Sequence, residues 1–325
     1  MGTKSLKHGE RYQDFFARMA DVIARRYDLN GDKSLRDVYQ LNVDFLDTRS
    51  DANFASHHRE EILAVLADHQ KFENLVDLFV RRAIEFTYAS NQFVQINQTK
   101  EAELRSIYSG YLREIRHLLA ESRSEPEISA RLSKLVKEHF QNLRANISGF
   151  FDPTTAAEPQ SNVILQKVVC AEYTPEMQLE ILGVQPDVLL QPVLDLGCGK
   201  PGQLVQYLRQ NGIQATGVDR VVDPSPNLIQ ADWLDYPMVP GYWGTVISHM
   251  AFTNHFLFHH LYQYGRIEPY ARQYMVVLKS LKEQGSFYYA PGLPFIEAYL
   301  PHETYSVTQR QIVDQLYACK VTNIR

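Results

Sequence analysis

The sequence has no apolar run near the ~20 residues that span a bilayer, so no membrane-spanning helix is expected. Its first stretch, Met1 to Arg11, is polar and lacks the apolar core of a secretion signal. Cysteine is scarce. Cys170, Cys198 and Cys319 are odd in number and far apart, which speaks against a disulfide framework or a cysteine metal cluster. Each is expected to be a small buried residue, in a reducing, cytoplasmic setting. Basic charge is not in excess: 33 Lys and Arg stand against 38 Asp and Glu, a formal net charge of -5. Nucleic acid is therefore not an expected partner, because phosphate-backbone binding needs a basic face. Nor is there a repeat of fixed period.

What the chain does have is 325 residues, 45% of them hydrophobic, enough for about two domains. The first ~150 residues read as helices. Tyr12, Phe15, Phe16, Met19, Val22 and Ile23 fall at helical spacing between Glu10 and Tyr27. Further helices are expected near Leu35 to Leu46, His58 to His69 and Phe72 towards Phe93. Thr99 is expected to cap the next. Ser124 with Glu127 forms a capping box for a last helix, reaching about Phe150. Asp28 to Ser34 looks superficially like a calcium loop. Lys33 stands where glycine is needed and Tyr39 where a bidentate carboxylate is needed, so it reads as a turn. Two prolines and little apolar content mark a boundary near 151–161. The expected domains are 1–150, all helical, and 151–325.

The second half is organised around Val-Leu-Asp-Leu-Gly-Cys-Gly-Lys-Pro-Gly, from Val193 to Gly202. A short apolar strand ends in Asp195 and breaks at once into glycines. Gly197 and Gly199 let the backbone turn sharply and come close to a ligand. Pro201 and Gly202 then open a helix carrying Leu204, Tyr207 and Leu208. Gly197, Gly199 and Gly202 alone also fit a dinucleotide loop, and Asp219 lies about twenty residues on. Asp195 tips the balance. A free α-ammonium needs an anionic partner, whereas a pyrophosphate needs helix N–H groups and no nearby carboxylate. Strand and helix then alternate: Ala215 to Val218, Leu228 to Gln230, Gly244 to His249 and Gly285 to Ala290 read as strands.

The run Asp195-Leu196-Gly197-Cys198-Gly199 resembles the first motif of class I S-adenosylmethionine-dependent methyltransferases; Pro201 departs from it, since the family often has glycine there. The resemblance covers Tyr173 to about Leu300. It implies an α/β fold, a Rossmann-like class I methyltransferase sheet, with an N-terminal all-helical cap closing over the cofactor. It also implies S-adenosylmethionine as cofactor, with Asp195 and the glycines at its methionine end and Asp219 on the ribose hydroxyls. By the same resemblance Asp232 would meet the adenine amino group, Trp233 would cover the ring, and the end of the fourth strand, near Ser248 and His249, would face the methyl; Arg220, beside Asp219, is placed to stack on or flank the adenine. Plain packing is the other reading of Trp233, and a solvated strand end that of Asp219.

The chain lacks three family devices: Asp/Asn-Pro-Pro-Tyr/Phe for nucleic-acid amines, a Pro-Cys nucleophile, and a metal-dependent Asp-x-x-Lys arrangement. His249 is the candidate general base, because imidazole titrates near neutrality, with His255 as a second choice. A hydrogen-bonded structural histidine is the plainer alternative for His249. His255 and His259 share a helix face, but no third zinc ligand is evident and no metal is expected. The expected reaction is methyl transfer to O or N of a small metabolite of secondary metabolism. The alternative is cyclisation of the cofactor itself to azetidine-2-carboxylate with release of methylthioadenosine. Tyr173 would then orient the amine or shield the sulfonium. A regulatory scaffold that binds but does not react is a third reading. A homodimer is an open expectation.

Overall fold

The computed structural model describes residues 6–40, 48–148, 167, 173–261, 267–313 and 316–325. The expected boundary segment 151–161, Cys170, Phe150 and Leu46 lie outside these residues. The chain divides into two compact units, Met1–Val169 and Cys170–Arg325.

The first unit is helical in all its described elements: α1 (Leu6–Leu29), α2 (Leu35–Gln40), α3 (Thr48–His57), α4 (Arg59–Ala67), α5 (His69–Ser90), α6 (Gln98–Glu121) and α7 (Glu125–Ser148). Its core is built from apolar residues at helical spacing, among them Val65, Leu75, Val76, Leu112 and Leu119. Two helix starts differ from the sequence reading. Asn97, not Thr99, caps α6: its Oδ1 accepts the Lys100 N–H at 2.9 Å, and its extended backbone suits the cap. Glu127 does reach back, but to the Arg123 N–H at 2.9 Å. The helices expected near His58 to His69 and from Phe72 towards Phe93 form as α4 and α5, with α3 before them unanticipated and Asp68 between them. Asp68 caps α5 through the Lys71 N–H, which local periodicity alone did not reveal.

The second unit is a sheet of seven strands in the order β3-β2-β1-β4-β5-β7-β6, the Rossmann-like α/β arrangement that the resemblance implies. The strands are β1 (Val193–Leu196), β2 (Ala215–Asp219), β3 (Leu228–Gln230), β4 (Trp243–His249), β5 (Leu281–Ala290), β6 (Tyr305–Val313) and β7 (Leu316–Asn323). β1 to β5 pair in parallel, and β7 runs antiparallel between β5 and β6. The chain winds outward from β1 through β2 to β3, then returns to lay β4 on the other side of β1. That reversal is where an open α/β sheet leaves a crevice at its carboxyl ends.

Alternation along the strands feeds two apolar layers. Leu194, Leu196, Val246, Phe287 and Tyr289 pack with α10 (Phe252–Leu261) and α11 (Ile267–Lys279). Val193, Ala215, Ile247 and Tyr288 pack on the other face with α8 (Pro175–Leu182) and α9 (Gln203–Gln210). α8 is bounded as its sequence implies. Thr174 Oγ1 accepts the Met177 N–H, Pro175 opens the helix, and Gly183 ends it at φ 67°.

Beyond β5, the short helix α12 (Pro294–Glu297) buries a carboxylate that the sequence reading passed over. Glu297 Oε1 accepts the Tyr289 hydroxyl at 2.8 Å and the Leu293 N–H at 2.6 Å. Its Oε2 accepts Gln309 Nε2 and the Tyr317 hydroxyl, both at 2.8 Å. One side chain thus joins β5, β6 and β7. Among the described residues, no helix is long and apolar enough to cross a membrane, and no group of three or more His, Cys, Asp or Glu could hold a metal ion.

Candidate active site

The turn after β1 is made by glycines because no other residue fits it. Gly197 has φ 95° and Gly199 φ 68°, in the region that a Cβ disfavours. At Gly197 there is also no room, since a Cβ would lie 2.2 Å from the Cβ of Ala251, just after β4. The loops after β1 and β4 therefore touch across the crevice. Gly197→Ala should lower the melting temperature by about 5 °C, which corresponds to about 2 kcal/mol of strain and clash in a unit of this size. A thermal unfolding scan reads it.

Strand register places the polar side chains. Asp195 pairs with Gly217 on one side and Ile247 on the other. Asp219 and His249 each lie two residues beyond those partners, so all three share the sheet face of Val193 and Ile247, the α8–α9 side. Asp195 is 2% exposed. Asp219 is buried too, and it ties the glycine loop down: its Oδ2 accepts the Gly199 N–H at 2.9 Å and its Oδ1 the Val221 N–H at 3.1 Å. Each carboxylate oxygen keeps a second lone pair for a ligand hydroxyl. Tyr173, just before α8, stands edge-on to the His249 ring at 4.8 Å.

Burial, and then the charge of Asp219, push the Asp195 carboxyl up from 3.8 to about 7. Burial and the same two carboxylates push the Cys198 thiol up, so this cysteine is no nucleophile. Burial pushes His249 down to about 4, which keeps its imidazole neutral at physiological pH. At the end of β4, in the first turn of α10 and on the indole of Trp233, buried polar atoms lack a hydrogen-bond partner among the described residues: Ser248 Oγ, His249 Nε2, Thr253 Oγ1 and Trp233 Nε1. Buried polar groups are seldom left unpaired, so the three at the end of β4 and the start of α10 make that stretch the candidate ligand-facing part of the site.

The remaining candidates lie at the end of β3 and in the α10–α11 layer. Asp232 Oδ1 accepts the Leu234 N–H at 2.9 Å; burial raises its carboxyl, opposed by that N–H and by Arg220. Trp233 is buried in that layer's apolar core. The Arg220 guanidinium lies 5.6 Å from its ring centroid, and a Cβ on Gly197 would lie 3.3 Å from its ring. His255 meets the same indole edge-on at 4.9 Å, and its Nδ1 is 3.5 Å from the Tyr270 hydroxyl. Burial first, then Arg220 and His259, hold His255 well below its ordinary pKa. His259 stacks on Tyr270 at 4.9 Å. Thus Tyr173, Asp195, Asp219 and His249 share one face, whereas Trp233 and His255 pack together on the other. Thr253 was not anticipated: its only signal is a place in the first turn of α10.

No family model and no curated protein matches the sequence. Among solved structures the chain is similar to a protein from Pyrococcus horikoshii OT3, at 15% identity and a TM-score of 0.32, over 54% of this chain and 95% of that one. It is similar to the N-methyltransferase NodS from Bradyrhizobium japonicum WM9 in complex with S-adenosyl-L-homocysteine, at 12% identity and a TM-score of 0.30, over 41% of this chain and 78% of that one. It is also similar to the Burkholderia thailandensis 1,6-didemethyltoxoflavin-N1-methyltransferase with bound 1,6-didemethyltoxoflavin and S-adenosylhomocysteine. There the identity is 15% and the TM-score 0.30, over 46% of this chain and 75% of that one. At these values no activity, substrate or partner passes from them to this chain.

Proposed function

We propose that the crevice at the ends of β1, β2 and β4 binds S-adenosylmethionine, and that the protein is a methyltransferase acting on an oxygen or nitrogen of a small molecule. The observation that carries this reading is the buried pair Asp195 and Asp219. Two carboxylates in a desolvated crevice favour a cationic, hydroxyl-rich ligand, and they repel a dinucleotide pyrophosphate. The residues fit the cofactor. Asp195 would hold the α-ammonium and Asp219 the ribose hydroxyls, while Asp232 accepts from the adenine amino group and Trp233 with Arg220 borders the ring.

S-adenosylmethionine supplies an activated sulfonium methyl when bound. The chain must then align an acceptor, exclude water and take up a proton. His249 suits the proton uptake, since its Nε2 has no hydrogen-bond partner and its imidazole is neutral above pH about 4. The edge of Tyr173 fixes the plane of that ring. His255 would act only by supporting Trp233.

His249→Phe should lower kcat about a hundredfold and leave the KM for S-adenosylmethionine unchanged. A pH–rate profile adds a second check: kcat should stay flat from pH 5 to 8. Equal turnover by the variant removes His249 from the chemistry. The reaction class is tested by product analysis with S-adenosylmethionine alone, then with pools of small phenols, amines and carboxylates. S-adenosylhomocysteine formed only with an acceptor supports transfer. Methylthioadenosine formed from S-adenosylmethionine alone would replace it by cyclisation to azetidine-2-carboxylate.

A further inference from the structure

We propose that the helical unit carries a ligand site of its own, for a small aromatic molecule bearing a hydroxyl. Helices of this unit line a half-open cavity of about 250 Å³. An engineered apolar cavity of ~150 Å³ already admits benzene, so this one has space for a substituted ring. A void of that size, if left dry, forfeits packing on the scale of a domain's whole net stability. Water or a ligand is the physical alternative, and the largely apolar lining favours a ligand.

The polar groups lining the cavity say which occupant. Most are already matched. Arg26 is paired with Asp51, the Tyr27 and Tyr108 hydroxyls meet at 2.8 Å, and Asn146 Nδ2 donates to Glu103 at 2.9 Å. The Arg26–Asp51 pair leaves no net charge for an ionic ligand to answer. Two buried atoms remain without a hydrogen-bond partner among the described residues, Asp51 Oδ2 and His139 Nδ1. The carboxylate oxygen only accepts. His139 is 8% exposed, and burial keeps its ring neutral by pushing it down to about 4. A neutral imidazole nitrogen either accepts or donates, according to its tautomer. A hydroxyl can answer either atom, donating to the carboxylate and pairing with the imidazole in either tautomer. A carbonyl cannot answer Asp51, and a plain hydrocarbon answers neither. The walls suit a flat ring: Tyr111 stacks on His139 at 4.2 Å, and Phe79 on Tyr108 at 5.1 Å.

This site does not depend on the reading of the crevice, and the test separates the two. The full-length chain is titrated calorimetrically with p-cresol, and with toluene as the same shape without the hydroxyl. S-adenosylmethionine is titrated in parallel. The expected result is p-cresol binding at least tenfold tighter than toluene. His139→Phe should abolish that preference and leave toluene and S-adenosylmethionine binding unchanged. Ala83→Leu, which narrows the cavity from α5, should weaken both aromatic probes at least tenfold. It keeps the test sharp should the histidine variant fail to fold. The proposal is overturned if neither probe binds, if the two bind equally, or if p-cresol binding survives both substitutions. That last outcome would put the phenol elsewhere, such as the acceptor side of the crevice.

Discussion

Asp195→Asn should bind S-adenosylmethionine about a hundredfold more weakly than the parent and yet be the more stable protein at pH 8. The binding loss is that of a charge-assisted hydrogen bond to an ammonium, about 2 to 3 kcal/mol. The stability gain has the opposite origin. In the unfolded chain this carboxyl titrates near 3.8; in the fold it titrates at about 7, raised by burial and by Asp219. Between those pH values the unfolded chain gives up the proton that the buried carboxyl of the folded chain keeps. Stability therefore falls as pH rises, by roughly 4 kcal/mol over the window, and is flat above it. Asparagine removes the charge and with it most of that decline. The same titration controls affinity. Below pH 7 the parent's apparent Kd should rise tenfold per unit, because the ligand selects the ionised carboxyl, whereas the variant's should stay level. Calorimetric titrations at pH 5.5, 6.5 and 8, paired with denaturant melts, check both. A variant that loses affinity and stability together would contradict this account.

Glu297→Ala should cost about 4 kcal/mol, seen as a fall of about 10 °C in melting temperature. The carboxylate receives four donors: the Tyr289 hydroxyl, the Leu293 N–H, Gln309 Nε2 and the Tyr317 hydroxyl. Truncation leaves them together in the interior, and a buried donor without a partner costs about 1 to 3 kcal/mol. Water entering the space would recover part of this. Tyr289 adds a further link through its 2.8 Å contact with the Tyr274 hydroxyl on α11, so the damage should spread into that layer. Glu297→Gln should fall between the two. One oxygen still accepts, but the new amide meets donors where a second acceptor stood. Alanine and glutamine variants of equal stability would show the four bonds to be worth little.

The crevice could be read from the sequence because local rules fix it. An apolar run ending in Asp195, glycines at 197 and 199, and strands closing at Asp219 and Gln230 are written in consecutive residues, and the strands form at those places. The caps of α8 were readable for the same reason, through Thr174, Pro175 and Gly183. The start of β5 was not. It begins at Leu281, four residues before Gly285, because Lys282, Glu283 and Gln284 belong to a register shift opposite Trp243 and Thr245 that no local pattern encodes. Trp233 looked the same as core or as cofactor cover, because both need a large apolar face. The Glu297 network joins residues 8, 12 and 20 positions away, separations with no sequence signature. The helical unit followed periodicity, but its cavity did not: packing of distant helices brings Asp51 near Arg26, while His139 comes from α7.

Met250 follows β4 at φ 51°, a backbone conformation that glycine or asparagine adopts far more comfortably. It is held there by its N–H bond to the Ala290 carbonyl at 2.7 Å and by side-chain packing on the α8–α9 layer. A contortion of this kind costs about 1 to 3 kcal/mol and persists only where the surroundings over-determine it. The bend that separates His249 from Thr253 is therefore an inheritance from β5 and the layer beneath, not a habit of its own seven letters. Transplanted alone onto a foreign scaffold, 248–254 would relax, and its polar atoms would scatter.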